Sequence, residues 1–378
     1  MKNAGTKFIL LLFLSILVIP LVNAVLHIKS FEQKDENRVF TPMPEANIRT
    51  LDKYPREFEN YFNDNFSFRS PLLDLIHQVK YHVFNVSPNP NQNVIGKNGW
   101  CFLTGKEKEV YEGNLDLTPT QLDTLDLIWK KRIAYFNERG IKCYWLIAPT
   151  KHRIYSEELP NSIAINHGKS RVELLKEHMS ASFPGLIIDP TPALLAEKKN
   201  RKLYFKLDNH WNVNAGQIAS AELMKAIAKN FPSVAPVKYG DYTWKDTITS
   251  HGYDKNVLGI ASLSEKEQVF KYHKELAPAA PNFGFPVTEG FPYPWEYEFH
   301  YVRNPSDTTL PRLLVMRDSF GNQMMPFLKE GFNESVFIFD AWKYGMDQNI
   351  IDNYKPKIVV FITLETHLEN VIQYNNFW

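Results

Sequence analysis

The sequence predicts an α/β fold built around a central parallel sheet. Two observations indicate this class. First, a helical pattern is followed at once by an apolar strand, at residues 119–148 and again at 172–189, and this alternation with short connections is typical of α/β units. Second, three later apolar runs, at 313–316, 336–339 and 358–362, show no polar alternation. Uninterrupted runs of this kind are expected for parallel strands that are buried on both faces.

The totals exclude some classes of protein. The chain has 378 residues, 44% of them hydrophobic, and its 43 basic and 42 acidic side chains give a formal charge of +1. A dedicated nucleic-acid-binding protein normally carries a strong basic excess, so that class is excluded. The two cysteines, Cys101 and Cys143, form no Cys-x-x-Cys motif, and a structural zinc site of the usual spacing is not expected. We expect no cofactor.

The N-terminus carries a targeting signal. Lys2 and Lys7 precede an apolar run at residues 8–26, which is long enough for a signal peptide or a marginal membrane anchor. A small-residue pattern at 22–24 favours cleavage, whereas the length of the run favours a retained anchor. Positive charge on the short N-terminal side predicts that the rest of the chain is exported in either case.

These features divide the chain into three parts. Residues 1–28 are predicted to be a signal peptide or anchor helix, polar residues 29–56 a linker, and residues 57–378 the folded domain. Export makes a disulfide between Cys101 and Cys143 possible. A plain buried thiol is an equally good interpretation, because Cys143 lies in a predicted buried strand.

The clearest helix begins with a capping box. Thr118 is the predicted N-cap, Pro119 the first helical residue and Gln121 the third, and Gly140 closes the helix before an apolar strand at 141–148. Apolar residues recur at three- and four-residue spacing along it: Leu122, Leu125, Trp129, Ile133 and Phe136.

The second unit repeats this order. A helix is predicted at 172–183 and a strand at 186–189, and Asn214 is the predicted N-cap of a further helix, with Gln217 at the capping-box position. One face of that last helix is apolar through Leu223, Met224, Ile227 and Ala228.

Other parts of the chain are less regular. An aromatic-rich segment at 58–69 leads into an amphipathic helix near 71–84, and residues 99–103 predict a short strand after a glycine turn. Residues 232–311 are rich in Pro, Tyr, Phe and Trp without clear periodicity. We interpret them as an insertion of loops and short strands on the rim of the sheet.

A serine follows the strand at 313–316. The polar turn 317–321 places Ser319 between that strand and a segment that could be helical. Open α/β sheets keep their chemistry at the carboxyl ends of such strands. The turn would expose Ser319 Oγ, and the backbone N–H groups that follow could stabilise an oxyanion. The alternative is that Ser319 is an ordinary helix N-cap.

A second motif supplies an acid and a base. Asp208 and His210 are two residues apart, and Trp211 follows directly. An Asp that orients the Nδ1–H of a His, whose Nε2 is then free to accept a proton, is what a serine nucleophile requires. Together the two motifs predict a Ser–His–Asp triad of Ser319, His210 and Asp208.

These motifs resemble the alginate O-acetyltransferase family, also called AlgX/AlgJ-like or DHHW-type. In that family an Asp-x-His-Trp motif precedes the Ser motif, as Asp208–Trp211 precedes Ser319 here. Further matches lie at residues 58–69, 99–103, 148–151 and 203–204, at Tyr155 and Leu159-Pro160, and at Glu365.

The resemblance implies an SGNH hydrolase-like three-layer domain in which Ser319 is the nucleophile, His210 the general base and Asp208 its orienting acid. The family usually has Thr or His at the position of Asn209, and Leu or Ile at that of Cys101. Neither departure touches a catalytic group. The resemblance does not extend to residues 232–311, where substrate contacts are expected.

Several other residues are candidates with two interpretations each. His367 is a rival base. Thr150 and Lys151 could hold an oxyanion, or Lys151 could be a solvated charge. Arg317 could pair with Asp318 or bind an anionic polymer. Aromatic residues that could stack on sugars, or belong to the core or an interface, are Trp211, Trp244, Tyr253, Trp342 and Tyr344. A metal site at Asp208 and Asp318 is rejected, because no His-x-x-x-His pair or carboxylate cluster accompanies them.

The resemblance implies transfer of acetyl groups onto an exported polysaccharide. Because acetyl-CoA is cytoplasmic and this domain is not, the acetyl group is expected from a membrane partner of the MBOAT type, next to the N-terminal anchor. An SGNH-type carbohydrate or acyl esterase is the first alternative. The second is a non-catalytic polysaccharide-binding component of an export complex.

Overall fold

The structure, a computed structural model, describes residues 2–26, 39–66, 69–165, 168–250, 252–260, 262–271, 299–304, 307–341, 343–345 and 348–373. The chain divides into two compact units. The first comprises residues 1–88 and 258–261, and the second residues 89–257 and 262–378. The predicted division at residue 57 stays a prediction.

The first unit is helical. Its helices are α1 (Lys2–Leu26), α2 (Tyr54–Asn65) and α3 (Arg69–His82). Among the residues that the structure describes, no helix combines the length and the apolar character needed to cross a membrane. Membrane anchoring therefore stays a prediction. Residues 29–38 of the predicted linker lie outside the described residues.

The second unit contains the sheets. Its strands are β1 (Asn93–Ile95), β2 (Cys101–Leu103), β3 (Lys142–Ala148), β4 (Ile187–Ile188), β5 (Thr243–Thr249), β6 (Glu265–Lys271), β7 (Phe299–Arg303), β8 (Leu313–Arg317), β9 (Glu334–Phe339) and β10 (Ile358–Leu364). The helices that follow α3 are α4 (Lys106–Tyr111), α5 (Pro119–Glu138), α6 (Lys151–Ile154), α7 (Arg171–Met179), α8 (Thr191–Glu197), α9 (Val213–Ala228), α10 (Tyr253–Leu258), α11 (Met325–Leu328), α12 (Gln348–Tyr354) and α13 (Leu368–Gln373).

The main sheet confirms the α/β class but corrects the predicted strand direction. Its order is β4–β3–β10–β8–β9–β7. Neighbouring strands from β4 to β9 run parallel, whereas β7 is antiparallel to β9. The sheet is therefore mixed. Strand β7 is a short edge strand of the kind expected within residues 232–311. Its position and antiparallel direction were not predicted, because the sequence there shows no clear periodicity.

Helices cover both faces of this sheet. All seven residues of β10 are buried. Ile358, Val360 and Ile362 share one core cluster with residues of α9, while Val359 and Phe361 share the other with residues of α5. Side chains of a strand point alternately to its two faces, so burial of every residue requires a layer on each side.

The predicted α5 start is confirmed. The Thr118 side chain accepts the N–H of Gln121, the Gln121 side chain accepts the N–H of Thr118, and Gly140 has a φ of +63° after the last turn. The predicted start of α9 was two residues late. Asn212 is the cap, because its Oδ1 accepts the N–H groups of Asn214 and Ala215.

The two cysteines are buried free thiols, and no disulfide joins them. Burial raises the pKa of Cys101 to about 12. It also raises the pKa of Cys143. The buried-thiol interpretation is therefore the right one.

The carboxyl edge of the sheet brings distant segments together. In the parallel register, Arg317 at the end of β8 pairs with Ile362, and Ala148 at the end of β3 pairs with Leu364. The residues that follow these strands, among them Thr150, Ser319 and Glu365, consequently meet at one edge.

Helix α9 packs tightly on the segment that follows Ser319. A Cβ at Gly216 would lie 2.0 Å from the carbonyl oxygen of Gln323. Only a glycine permits this approach without a shift of one backbone.

We expect Gly216→Ala to destabilise the second unit by about 1–3 kcal/mol, because the added methyl must displace the Ser319 turn or α9. Gly240→Ala is the matched control, since a Cβ at Gly240 would meet nothing within 4 Å, and it should stay within about 0.5 kcal/mol. Urea unfolding of both variants checks this. Equal stability of the two variants would contradict the close packing.

Candidate active site

Ser319 begins a short 3-10 turn (Ser319–Gln323) directly after β8. Asp318 caps this turn: its Oδ1 accepts the N–H of Phe320 at 2.9 Å, and its carbonyl oxygen accepts the N–H of Gly321 at 3.2 Å. The cap fixes the turn, so the partly exposed Ser319 side chain stands at the carboxyl edge of the sheet.

Ser319 meets the acid–base motif at this edge. Its Oγ lies 2.7 Å from His210 Nε2, and His210 Nδ1 lies 2.6 Å from Asp208 Oδ1. The second carboxylate oxygen of Asp208 accepts the N–H of Tyr253 at 2.7 Å. The three side chains thus form a hydrogen-bonded series with the geometry that a Ser–His–Asp triad needs. Their catalytic roles are taken up as a proposal below.

The acid and the base alter each other's titration. Burial by itself raises the pKa of Asp208, but hydrogen bonds from His210 and Tyr253 and the charge of His210 lower it to about 2. Burial by itself lowers the pKa of His210, but the hydrogen bond and the charge of Asp208 outweigh it and raise that pKa. The Asp208 contribution to stability is therefore fully present above its ordinary pKa and is lost as the pH falls towards 2.

Trp211 ties the two motifs together. It is fully buried, its Nε1–H donates to the carbonyl oxygen of Phe320 at 2.7 Å, and its ring meets that of Phe320 edge-on at 5.3 Å. Of the two interpretations of Trp211, the core one is confirmed and the sugar-stacking one is not, because the ring has no exposed face. It belongs to the core and positions the site.

The loop that carries the acid and base is held by remote side chains. We call residues 205–210 the Asp208 loop. Glu265 accepts the N–H groups of Lys206 at 2.7 Å and Leu207 at 3.0 Å, and Glu107 accepts the side-chain amide of Asn209 at 3.2 Å. Neither carboxylate was predicted to support the site. Their separation from the loop in the sequence left no local signal.

The oxyanion donors proposed from the sequence have other partners. Thr150 donates both its N–H and its hydroxyl to Glu365, at 2.7 and 2.9 Å. Lys151 is fully buried and pairs with Asp254 at 3.2 Å, so it is not a solvated charge either. The N–H groups after Ser319 are taken by Asp318, as described above.

One backbone donor is left at the turn. Among the described residues, the N–H of Ser319 has no hydrogen-bond acceptor. It belongs to the nucleophile itself and lies at the start of the turn, where a backbone donor can reach the oxygen of a bound ester.

Arg317 is a buried structural residue. It is 1% exposed, its Nη1 donates to the carbonyl oxygen of Asp318 at 3.1 Å, and its guanidinium lies 5.4 Å from the ring centre of Phe339. Binding of an anionic polymer by Arg317 is therefore excluded by its burial. Its contact with Asp318 is to the main chain.

His367 faces Asp318. Its Nδ1 lies 3.5 Å from Asp318 Oδ2 and 2.9 Å from the hydroxyl of Tyr344, which itself donates to Asp318 Oδ2 at 2.8 Å. The hydrogen-bond partner of Ser319 is His210, so the geometry does not favour His367 as the base. Tyr344 is fully buried, so its core interpretation is confirmed and sugar stacking is excluded. Trp342 lies outside the described residues.

The other two aromatic candidates among the described residues are Trp244 and Tyr253. The ring of Trp244 stacks on that of Tyr239 at 4.5 Å. Tyr253 is 52% exposed and begins α10, next to Asp208. Within the described parts of the chain, no group of three His, Cys, Asp or Glu side chains could hold a metal ion.

The comparisons with known proteins agree with this architecture. Residues 94–279 match the family model of the SGNH hydrolase-like domain of the acetyltransferase AlgX. The resemblance to the AlgX/AlgJ-like family is confirmed. This match includes Asp208 and His210 and ends before Ser319.

One curated relative is the probable alginate O-acetylase AlgJ of Pseudomonas syringae pv. tomato. It is 25% identical over 182 residues, which cover 48% of this chain and 44% of the relative. The match thus spans less than half the length of that protein.

Two solved structures show the fold. Bacillus cereus PatB1 has a TM-score of 0.50 and 17% identity, over 73% of this chain and 97% of its own. A DHHW family protein from Eubacterium siraeum has a TM-score of 0.51 and 14% identity, over 76% of this chain and 96% of its own. The fold is therefore SGNH hydrolase-like, with a mixed central sheet.

The raised pKa of His210 predicts a pH dependence. Because His210 must be neutral to accept the proton of Ser319, labelling of Ser319 by a fluorophosphonate should be lost as the pH falls. The midpoint of this loss should lie above 6.5, the ordinary pKa of histidine, because the pKa of His210 is raised. Asp208→Asn should move this midpoint to lower pH, since it removes the charge that raises the pKa of His210. It should also slow labelling by about 10⁴-fold, as in serine proteases.

Two histidine variants distinguish the bases. His210→Ala should abolish fluorophosphonate labelling of Ser319, whereas His367→Ala should retain it, because His367 pairs with Asp318 and Tyr344. Loss of labelling only in His367→Ala would show that the base is assigned to the wrong residue.

Proposed function

We propose that this protein transfers acetyl groups onto a hydroxyl of an exported polysaccharide through an acetyl-Ser319 intermediate. The observation that carries the proposal is the hydrogen-bonded series from Ser319 through His210 to Asp208. The AlgX/AlgJ-like resemblance supports acetyl transfer as the reaction class.

The first half of the reaction loads the serine. Ser319 Oγ attacks the carbonyl carbon of an acetyl ester while His210 Nε2 takes the hydroxyl proton. Asp208 stabilises the imidazolium that forms. The free N–H of Ser319 is the proposed donor to the oxyanion. When the tetrahedral intermediate collapses, the leaving oxygen takes the proton from His210, and acetyl-Ser319 remains.

The second half repeats these steps with a sugar. A hydroxyl of the polysaccharide gives its proton to His210 and attacks acetyl-Ser319, and Ser319 then regains the proton as the product ester leaves. Water would complete the same chemistry as an esterase. Tyr253 is the proposed contact for the acceptor, because it is 52% exposed, its N–H donates to Asp208, and an exposed aromatic side chain can stack on a sugar ring.

The acceptor and the donor are inferred from the family. The AlgJ relative is named as a probable alginate O-acetylase, which favours an alginate-like polymer as the acceptor. We further propose that the N-terminal apolar segment directs export and holds the chain at the outer face of the membrane. There an MBOAT-type membrane protein would present acetyl groups drawn from the cytoplasm.

A transfer assay tests the reaction. The full chain is incubated with a chromogenic acetyl ester, with and without alginate oligosaccharides, and the products are examined by mass spectrometry. We expect acetylated oligosaccharide with the wild-type chain and none with Ser319→Ala. That substitution removes one partly exposed hydroxyl and no core volume, so it should leave the melting temperature nearly unchanged.

Three other outcomes would replace the proposal. Release of acetate without acetylated sugar indicates an esterase. Oligosaccharide binding without turnover indicates a non-catalytic component. Full transfer by purified Ser319→Ala would exclude the covalent intermediate.

A further inference from the structure

Lys151 and Asp254 form a buried ion pair beside the Asp208 loop. Lys151 Nζ lies 3.2 Å from Asp254 Oδ2, and both side chains are 0% exposed. Removing two charges from water is expensive unless further hydrogen bonds satisfy them. For Lys151 they do: Nζ also approaches the carbonyl oxygens of Phe205 at 3.3 Å, Lys206 at 3.4 Å and Asp208 at 2.8 Å. Asp254 Oδ1, in contrast, is buried without a hydrogen-bond partner among the described residues.

The atoms around Lys151 Nζ are all hydrogen-bond acceptors. Four oxygen atoms surround it, three of them carbonyl oxygens of the Asp208 loop and one Asp254 Oδ2. A lysine side chain offers donors and no acceptor, so it suits this position. The contacts therefore hold the Lys151 side chain against the main chain of the Asp208 loop.

Asp254 belongs to the segment that holds the loop from its other side. In α10, the N–H of Tyr253 donates to Asp208 Oδ2 at 2.7 Å, and the N–H of Lys255 donates to the carbonyl oxygen of Leu207 at 3.1 Å. Asp254 lies between these two donors in the chain. The ion pair thus fastens α10 and Lys151 to the same stretch of backbone.

We propose that the Lys151–Asp254 ion pair is a positioning device that holds the Asp208 loop in register with Ser319. The pair touches neither Ser319 nor the imidazole, and it acts through the backbone that carries them. An apolar pair of similar volume could fill the space and stabilise the fold as well. It could not bind three carbonyl oxygens of the loop. The inference rests on the Ser319 chemistry proposed above.

Three variants of the full chain test this role. Lys151→Met keeps the length of the side chain and removes its charge. Asp254→Asn keeps the shape of the partner and removes its charge. Lys198→Met is the matched control, because Lys198 also pairs with a carboxylate, Glu157 at 2.8 Å, and a carbonyl oxygen, that of Ile154 at 2.7 Å, away from the Asp208 loop.

The first measurement is the rate of fluorophosphonate labelling of Ser319 as a function of pH, with thermal melting in parallel. We expect Lys151→Met to label about 10²-fold more slowly, since misplacement of catalytic groups by about 1 Å has effects of that size. Lys198→Met should stay within about twofold. Wild-type labelling by a folded Lys151→Met variant would overturn the proposal.

The second measurement separates positioning from plain stability. The charged groups that act on His210 are Asp208, Glu107 and Asp318, with Lys151 and Asp254 adjoining Asp208. If Asp254→Asn loosens the Asp208 loop, the 2.6 Å contact between Asp208 Oδ1 and His210 Nδ1 weakens, and this contact is what raises the pKa of His210. The midpoint of the labelling profile should therefore move to lower pH in Asp254→Asn. A purely structural role would lower the melting temperature and leave that midpoint in place. If Lys151→Met does not fold, the midpoint measured in Asp254→Asn tests the positioning role.

Two separate measurements test the proposed function and the role of the ion pair. If the wild-type chain is not labelled, the Ser319 chemistry is wrong. The titration of His210 by NMR, assigned by comparison with His210→Gln, then tests the ion pair alone. A lower midpoint in Asp254→Asn than in the wild type supports the coupling, and an unchanged midpoint refutes it.

Discussion

The candidate site depends on one buried hydrogen bond, from Trp211 Nε1 to the carbonyl oxygen of Phe320 at 2.7 Å. Each partner directly follows a residue of the site, His210 in one case and Ser319 in the other. The two motifs lie 109 positions apart in the sequence. This bond and the ring contact nevertheless fix the distance between them in the fold. The contact of 2.7 Å between His210 and Ser319 follows from that spacing.

Buried carboxylates hold the loops at the edge of the sheet, where backbone N–H groups have no partner on a neighbouring strand. Glu365 accepts the donors of Thr150, Glu265 accepts two N–H groups of the Asp208 loop, and Asp318 accepts those of Phe320 and Leu364. A buried N–H without a partner is costly, so a loop at a sheet edge needs acceptors from elsewhere in the chain. The carboxylates supply them, and the same contacts fix the geometry of the site.

Local patterns were enough to predict much of this. The capping box at Thr118, the strands of the sheet and the two motifs around Asp208 and Ser319 all rest on spacing of a few residues. Caps, periodicity and tight turns are decided over that distance. The shifted start of α9 shows the limit even there, because Asn212 and Asn214 are chemically the same residue and only the backbone geometry selects the cap.

The sequence by itself thus determined the α/β class, most of its elements and the residue types of the candidate triad. Only the tertiary structure decided which charged and aromatic side chains are buried. From the sequence, four side chains could have had roles at the surface: Lys151, Arg317, Trp211 and Tyr344. In the structure, partners far along the chain bury them. Asp254, 103 residues beyond Lys151, is such a partner. The tertiary structure also decided where the edge strand β7 pairs, because its contact with β9 joins segments that are distant in the sequence and no local pattern predicts it.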